Sequence, residues 1–250
     1  MSDFFSLSGR TAFVTGANTG LGQAIAVALA GAGADIIVAG RTAPDETGAK
    51  VRGFGRRFHS ILADLGDKDA ALQAFDAAEA IARVDILVNN AGIIRRTDAI
   101  DFSEQDWDDV LDLNLKIPFL LSQAAARKMI PRGGGKIINV ASLLSFQGGI
   151  RVPSYTAAKS GLAGLTRALA NEWAAKKVNV NAIAPGYFVT NNTEGLRNDE
   201  TRSRDILARI PAGRWGAPDD LGGAAVFLAS RAADYVHGAI IPVDGGWLGR

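Results

Sequence analysis

Cysteine is absent from this chain of 250 residues. That excludes disulfides, thiolate metal sites and a cysteine nucleophile, and it fits a reducing compartment. Excess charge is missing too. The 27 basic residues nearly balance the 26 acidic ones, giving a formal +1 with no basic block, so nucleic acid is not an expected partner. No run of about 18 apolar residues occurs, so no membrane span is expected. The opening Met1-Ser-Asp-Phe-Phe-Ser-Leu-Ser-Gly-Arg10 lacks the basic start and long apolar middle of a signal peptide. A soluble, cytoplasmic protein is the expectation, with no metal site. Neither an internal repeat nor an interdomain linker is visible, and this length suits one α/β domain, residues 1–250, with a substantial core.

Apolar segments alternate with helical patterns along the chain. Strands are expected at Thr11–Thr15, Asp35–Gly40, Phe58–Leu62, Val84–Val88, Lys136–Ala141, Val178–Ala184 and Ala239–Val243. Helices are expected at Gln23–Ala30, about Asp67–Arg83, from a Ser103 cap to about Met129, through Tyr155 to about Ala175, and at about Asp219–Ser230. This is the pattern of a doubly wound parallel sheet flanked by helices, a Rossmann-like fold. Such sheets bind ligands beyond the carboxyl ends of their strands. Gly16–Gly22, Arg41, Asp64 and Asn89–Gly92 all fall there. The first turn, Gly16-Ala-Asn-Thr-Gly-Leu-Gly22, joins a strand to a helix. Its glycines let the backbone approach a pyrophosphate, and the helix N-terminus offers free N–H groups. Residues 187–213 are polar, without a clear period through Thr201, and read as a binding loop.

The chemistry-bearing stretch is Tyr155 to Lys159. A phenol and an ammonium four residues apart share one helix face, and a nearby positive charge favours the phenolate, bringing its pKa towards the range of a general acid/base. Ser142 lies upstream at the end of a strand. Asn114 stands among apolar neighbours in helical sequence, where a local hydrogen-bonding kink is expected. In the Tyr155 helix, Ala157, Gly161, Gly164 and Ala168 form a stripe of small residues. It faces either the chain's own sheet or a second subunit.

Thr15-Gly-Ala-Asn-Thr-Gly-Leu-Gly22, Asn89-Asn-Ala-Gly92, Asn114, Ser142, Tyr155-x-x-x-Lys159 and Pro185-Gly186…Thr190 resemble the short-chain dehydrogenase/reductase family in order and spacing. The resemblance implies an NAD(P)-dependent oxidoreductase and a homotetramer. Tyr155 would be the general acid or base, Lys159 would lower its pKa and hold the nicotinamide ribose, Ser142 would bond the substrate oxygen, and Asn114 would anchor a relay water. The dinucleotide would lie on Gly16, Asn18, Thr19, Gly20, Leu21, Gly22 and Arg41. Asp64 and Leu65 would frame its adenine, Asn90, Ala91 and Gly92 its adenine ribose region, and Pro185, Gly186, Phe188 and Thr190 its nicotinamide end.

The variable segments, such as Ile94-Arg-Arg96 and Arg209-Ile-Pro-Ala-Gly-Arg-Trp-Gly216, resemble a branch of the family that acts on keto and hydroxy sugar acids in uronate catabolism. A sugar acid needs a cation for its carboxylate and polar groups for its hydroxyls. Arg95, Arg96 and Arg151 are the candidate cations, and Gln147 and Asn192 the candidate hydroxyl partners, with Asn191 beside them. Reduction of another carbonyl, such as a 3-ketoacyl thioester or a neutral sugar, stays open, as does a non-catalytic dinucleotide sensor. Cofactor choice is divided. Gly40 stands where NAD enzymes place an acid, and Arg41 suits the 2′-phosphate of NADP. Thr19 is uncharged, and the branch is associated with NAD, which tips the expectation slightly to NAD.

Overall fold

The computed structural model describes residues 3–250. Its centre is a parallel sheet of seven strands in the order β3-β2-β1-β4-β5-β6-β7. The strands are β1 (Thr11–Thr15), β2 (Asp35–Gly40), β3 (Phe58–Leu62), β4 (Ile86–Asn89), β5 (Gly135–Val140), β6 (Val178–Pro185) and β7 (Ile240–Val243). The helices are α1 (Gly20–Gly31), α2 (Asp45–Gly53), α3 (Lys68–Ile81), α4 (Glu104–Leu111), α5 (Ile117–Met129), α6 (Pro153–Trp173), α7 (Glu194–Asn198), α8 (Glu200–Arg209) and α9 (Gly222–Ala229).

Residues of the five inner strands, β1, β2, β4, β5 and β6, are buried on both faces, as a sheet covered on two sides requires, while the edge strands β3 and β7 are partly exposed. On one side Val14, Ile36, Val38 and Ile183 pack against Ile25 and Leu29 of α1 and Leu228 of α9. On the other, Phe13, Leu87, Ile137 and Val180 pack against Phe75 of α3, Leu121 of α5 and Leu169 of α6. Phe13 and Phe75 meet edge to face at 5.8 Å. The chain reverses its direction of winding between β1 and β4, the neighbours at the sheet's centre. A crevice opens there between the loops that leave the two strands.

Two stretches depart from the expectation. The stretch after Arg41, left without an element, contains α2. The stretch 187–213, read as a loop, folds into a 3₁₀ turn (Asn191–Thr193), α7 and α8. The apolar residues of this cap are few, but Leu196, Ile206 and Ile210 join Leu143, Tyr187, Trp215 and Trp247 in a cluster apart from the main core. The expected kink at Asn114 is a π-helical turn over Asp112–Lys116 between α4 and α5. On α6, Leu162, Ala163, Thr166 and Leu169 are buried, while Ala157, Gly164 and Ala168 are exposed and Gly161 is half-buried beside Leu115. The small-residue stripe therefore faces away from the chain's own sheet. Among the described residues, no helix is long and apolar enough to cross a membrane.

Candidate active site

The glycine turn is fastened from both sides. Thr15 at the end of β1 accepts from the backbone N–H groups of Asn90 (2.9 Å) and Ala91 (3.0 Å), and its hydroxyl donates to Val88 O (3.2 Å). The Asn90 amide donates to Thr15 O and Gly16 O at 2.9 and 2.8 Å. Behind the turn, the buried Thr47 hydroxyl donates to Ala17 O at 2.7 Å and accepts from Gln23 at 3.0 Å. Thr47 lies on α2, so the role of this residue was hidden with its helix. The packing leaves no room for side chains: a Cβ on Gly22 would stand 2.3 Å from Asn90 Nδ2. Thr19, the N-cap of α1, makes no side-chain cap bond. The first amides of α1 thus remain open to a phosphate, the arrangement that suits a dinucleotide pyrophosphate.

These loops form one wall of a cleft of about 540 Å³. Every residue expected to touch the dinucleotide, from Gly16 and Asn18 through Asp64, Leu65 and Asn90 to Phe188 and Thr190, lines it. So do Asn114, Ser142, Tyr155 and Lys159. Pro153 occupies the first turn of α6 and fixes where that helix begins. The helix then presents Tyr155 and Lys159 to the cleft one turn apart.

The buried Lys159 ammonium donates to Val140 O at 2.7 Å and stands 5.5 Å from the centre of the Tyr155 ring. Desolvation pushes its pKa down to about 8. The same desolvation raises the pKa of Tyr155, and contact with the Ser142 hydroxyl and the Arg96 charge only partly oppose it. The expectation that the ammonium alone would bring the phenol down is corrected here. Burial disfavours both ions, and it outweighs the neighbouring charges. Asn114 donates to Ile93 O and Val110 O, both at 2.9 Å. Its Oδ1 is buried without a partner, near Gly92, where a Cβ would come within 2.4 Å. An unpartnered buried acceptor beside the cleft is suited to an ordered water.

Below the site, Asn89 of β4 donates to Asn139 of β5 at 2.8 Å, and Asn139 donates to Thr166 of α6 at 2.9 Å. All three are buried. This polar row ties two strands and α6 together.

The expected substrate residues divide. Arg96, Gln147 and Asn192 line the cleft, and Arg96 donates to Asn192 O at 3.3 Å. Arg95 and Arg151 do not line it. Arg95 turns to Asp106 (3.0 Å) and Asp109 (3.9 Å) on α4. Arg151, in the left-handed conformation (φ 64°) before Pro153 starts α6, pairs with Asp98 at 2.9 Å. The helix never extends back to Arg151, so it does not share a face with Tyr155. Gln147 is oriented by Trp247, whose Nε1 donates to its Oε1 at 3.1 Å. An indole can only donate, so the Gln147 carboxamide keeps its N–H groups for other partners. Arg202 of α8 and Tyr187 also line the cleft, and the sequence offered no periodicity to single out either.

The family model described as enoyl-(acyl carrier protein) reductase matches residues 16–248. A 2-dehydro-3-deoxy-D-gluconate 5-dehydrogenase from Dickeya dadantii is 62% identical over 249 residues, covering 98% of each chain. The chain belongs to the short-chain dehydrogenase/reductase family. As a member, it is an oxidoreductase that uses a nicotinamide cofactor. Two solved members share its fold closely. One from Agrobacterium tumefaciens, named provisionally as a 2-deoxy-D-gluconate 3-dehydrogenase and holding NADP, is 62% identical, covers 100% of both chains and superposes with a TM-score of 0.95. The other, a gluconate 5-dehydrogenase from Burkholderia cenocepacia with NADP and tartrate, is 39% identical, covers 99% of this chain and 98% of its own, and gives a TM-score of 0.94.

Proposed function

We propose that this short-chain dehydrogenase interconverts a keto and a hydroxy sugar acid, of the 2-dehydro-3-deoxy-D-gluconate type, within uronate catabolism. The observation that carries this reading is the charge of the cleft. Its only acidic lining residue among those described is Asp64, at the expected adenine end, whereas the end beyond Tyr155 carries arginine and amide groups. A small hydrated acid gains little from apolar burial and must be held by charge and hydrogen bonds. The names of the relatives point the same way.

Bound along the glycine turn, the dinucleotide supplies or accepts the hydride. The protein handles the proton and the charge. Tyr155 donates its phenolic proton to the substrate oxygen during reduction and takes it back during oxidation. Ser142 hydrogen-bonds the same oxygen, where negative charge develops. Lys159 supports the phenolate and the ribose hydroxyls, and Asn114 Oδ1 holds the water that refills the proton. Arg96 meets the carboxylate, while Gln147 and Asn192 bond hydroxyls. Residues 187–213 form the segment that covers the substrate.

The cofactor is NADP rather than NAD. Gly40 offers no acid for a ribose 2′-hydroxyl, and Arg41 lines the cleft beside it. Both solved relatives described above hold NADP, so the slight sequence lean to NAD is not supported. Assembly is a homotetramer, with the exposed stripe on α6 and the half-exposed Trp107 and Phe119 of α4 and α5 in subunit contacts. The test is a matched assay of NADPH and NADH oxidation against keto-sugar acids, neutral sugars and a 3-ketoacyl thioester. The reading requires preference for a sugar acid with NADPH, and a preference for the thioester or a neutral sugar would overturn it.

A further inference from the structure

Most arginines around the substrate end of the cleft are already engaged. Arg95 and Arg151 are paired with aspartates. Arg209 lies 3.9 Å above the Trp247 ring, and Arg214 is bound to Asp220. Arg202 differs from these. It lines the cleft, and its guanidinium makes no hydrogen bond or ion pair among the described residues. Only its backbone N–H is used, donating to the Asp199 cap of α8 at 3.0 Å. Burial raises the pKa of the neighbouring Tyr187 phenol, and the charges of Arg209 and then Arg202 partly oppose it.

The position is also held in place. The cap is anchored through Ile206 and Ile210 to Leu143 and Trp247. Leu143 directly follows Ser142, and Trp247 orients Gln147. The surface that fixes α8 is therefore built on the same residues that flank the reacting centre, and α8 carries Arg202 to the cleft from a different segment than Arg96. A guanidinium with free donors, facing a cleft whose substrate end holds no acid, is complementary to an anion.

We propose that Arg202 is a substrate-binding residue which, with Arg96, brackets the carboxylate of the sugar acid; this rests on the sugar-acid reading above. The cap then reads the charged end of the substrate, while Ser142 and Tyr155 act on the carbonyl.

The experiment compares wild type, Arg202→Met and Arg202→Lys with NADPH on the keto-sugar acid and on its carboxamide, which keeps the shape without the charge. Arg202→Met is expected to lower kcat/KM for the acid by about 10–100-fold, the loss of a charge-assisted pair, chiefly through KM. It should change the carboxamide by no more than about threefold and leave NADPH affinity intact, and Arg202→Lys should recover part of the loss. If the acid and the carboxamide fall together, Arg202 serves only to hold the cap, and the proposal is overturned. Unchanged kinetics on the acid overturn it equally. Should wild type accept the carboxamide as readily as the acid, the sugar-acid reading fails and this proposal fails with it. If wild type prefers the acid and Arg202→Met keeps that preference, the reading stands and only the role of Arg202 is lost.

Discussion

The proposed preference for NADP rests on two adjacent positions, and exchanging their chemistry should reverse it. Gly40 ends β2. A Cβ built there comes no closer than 3.9 Å to Gly16 Cα, which is ordinary contact, so an aspartate fits without displacing the turn. The Arg41 side chain is exposed, with no hydrogen bond or ion pair among the described residues, and it can meet a 2′-phosphate without breaking another contact. A charge-assisted hydrogen bond is worth about 1.5–3 kcal/mol. Taking about 2 kcal/mol, Arg41→Ala should weaken NADPH about 30-fold and leave NADH within about threefold. Adding Gly40→Asp sets a carboxylate against the phosphate. Unit charges about 4 Å apart repel by about 4 kcal/mol at an effective dielectric of about 20, and exposure and salt reduce this to about half. The double variant should then bind NADPH about 10³-fold more weakly than wild type, while NADH gains a partner for its 2′-hydroxyl. Titration of nucleotide fluorescence at low and high salt measures both constants. The NADPH loss must also shrink as salt rises, because screening already weakens the wild-type contact. Equal weakening of the two cofactors by Arg41→Ala would show that the guanidinium stacks on adenine instead, and the reasoning would fail.

Three further outcomes follow from the site. Tyr155→Phe should keep wild-type melting and NADPH affinity while turnover falls at least about 10²–10⁴-fold; turnover within a few-fold of wild type would remove Tyr155 from proton transfer. Lys159, whose pKa falls from 10.5 to about 8 on folding, binds its proton more weakly in the fold than in the unfolded chain. Its burial therefore costs most below pH 8, and stability should rise with pH between about 8 and 10.5, by about 1.4 kcal/mol per unit at most. Urea unfolding of wild type relative to Lys159→Met should show that slope, and parallel curves would contradict it. Thr47→Val removes the hydroxyl from the Ala17 carbonyl and leaves the Gln23 amide only Asn18 O as acceptor behind the glycine turn, so unfolding stability should drop by about 1–3 kcal/mol with a matching loss of NADPH affinity. A valine variant as stable and as tight as wild type would show that the turn holds itself.

Much of the sheet was legible because buried parallel strands are short apolar runs. The expected bounds of β1, β2 and β3 agree with the structure, and the others shift by one or two residues. The gathering of the candidate ligand residues at strand ends was legible for the same reason: the topology puts them in one crevice. What escaped was set by contacts that carry no period. In α2 the mean composition is polar. The helix is held by acids in its first turn, bases in its last, the Glu46–Lys50 pair and a single buried valine, Val51. The cap of α7 and α8 gains its apolar partners from Leu143 and Trp247, far away in the chain, so no local window reveals it. Arg95 and Arg151 were plausible by position, but what decides a guanidinium's direction is the nearest carboxylate. Asp106 and Asp98 lie in elements whose approach only the fold provides.

The row of Asn89, Asn139 and Thr166 has a consequence for how the sheet is assembled. β4 and β5 meet through Ile86, Leu87, Val88, Ile137, Ile138 and Val140, so a strand displaced by two residues would still bury mostly apolar side chains and satisfy its backbone. Hydrophobicity discriminates poorly between such alignments. The amides do discriminate, because a displaced β5 would take Asn139 away from both Asn89 and Thr166 and leave its amide facing hydrocarbon, while Asn89 would keep only its bonds to α5, Ser122 Oγ at 3.1 Å and Pro118 O at 3.4 Å. The row thus works as a key cut into an otherwise smooth surface. It admits one alignment of two strands that meet only after a long crossover, and by including Thr166 it checks that the helix bearing Tyr155 has docked at the matching height.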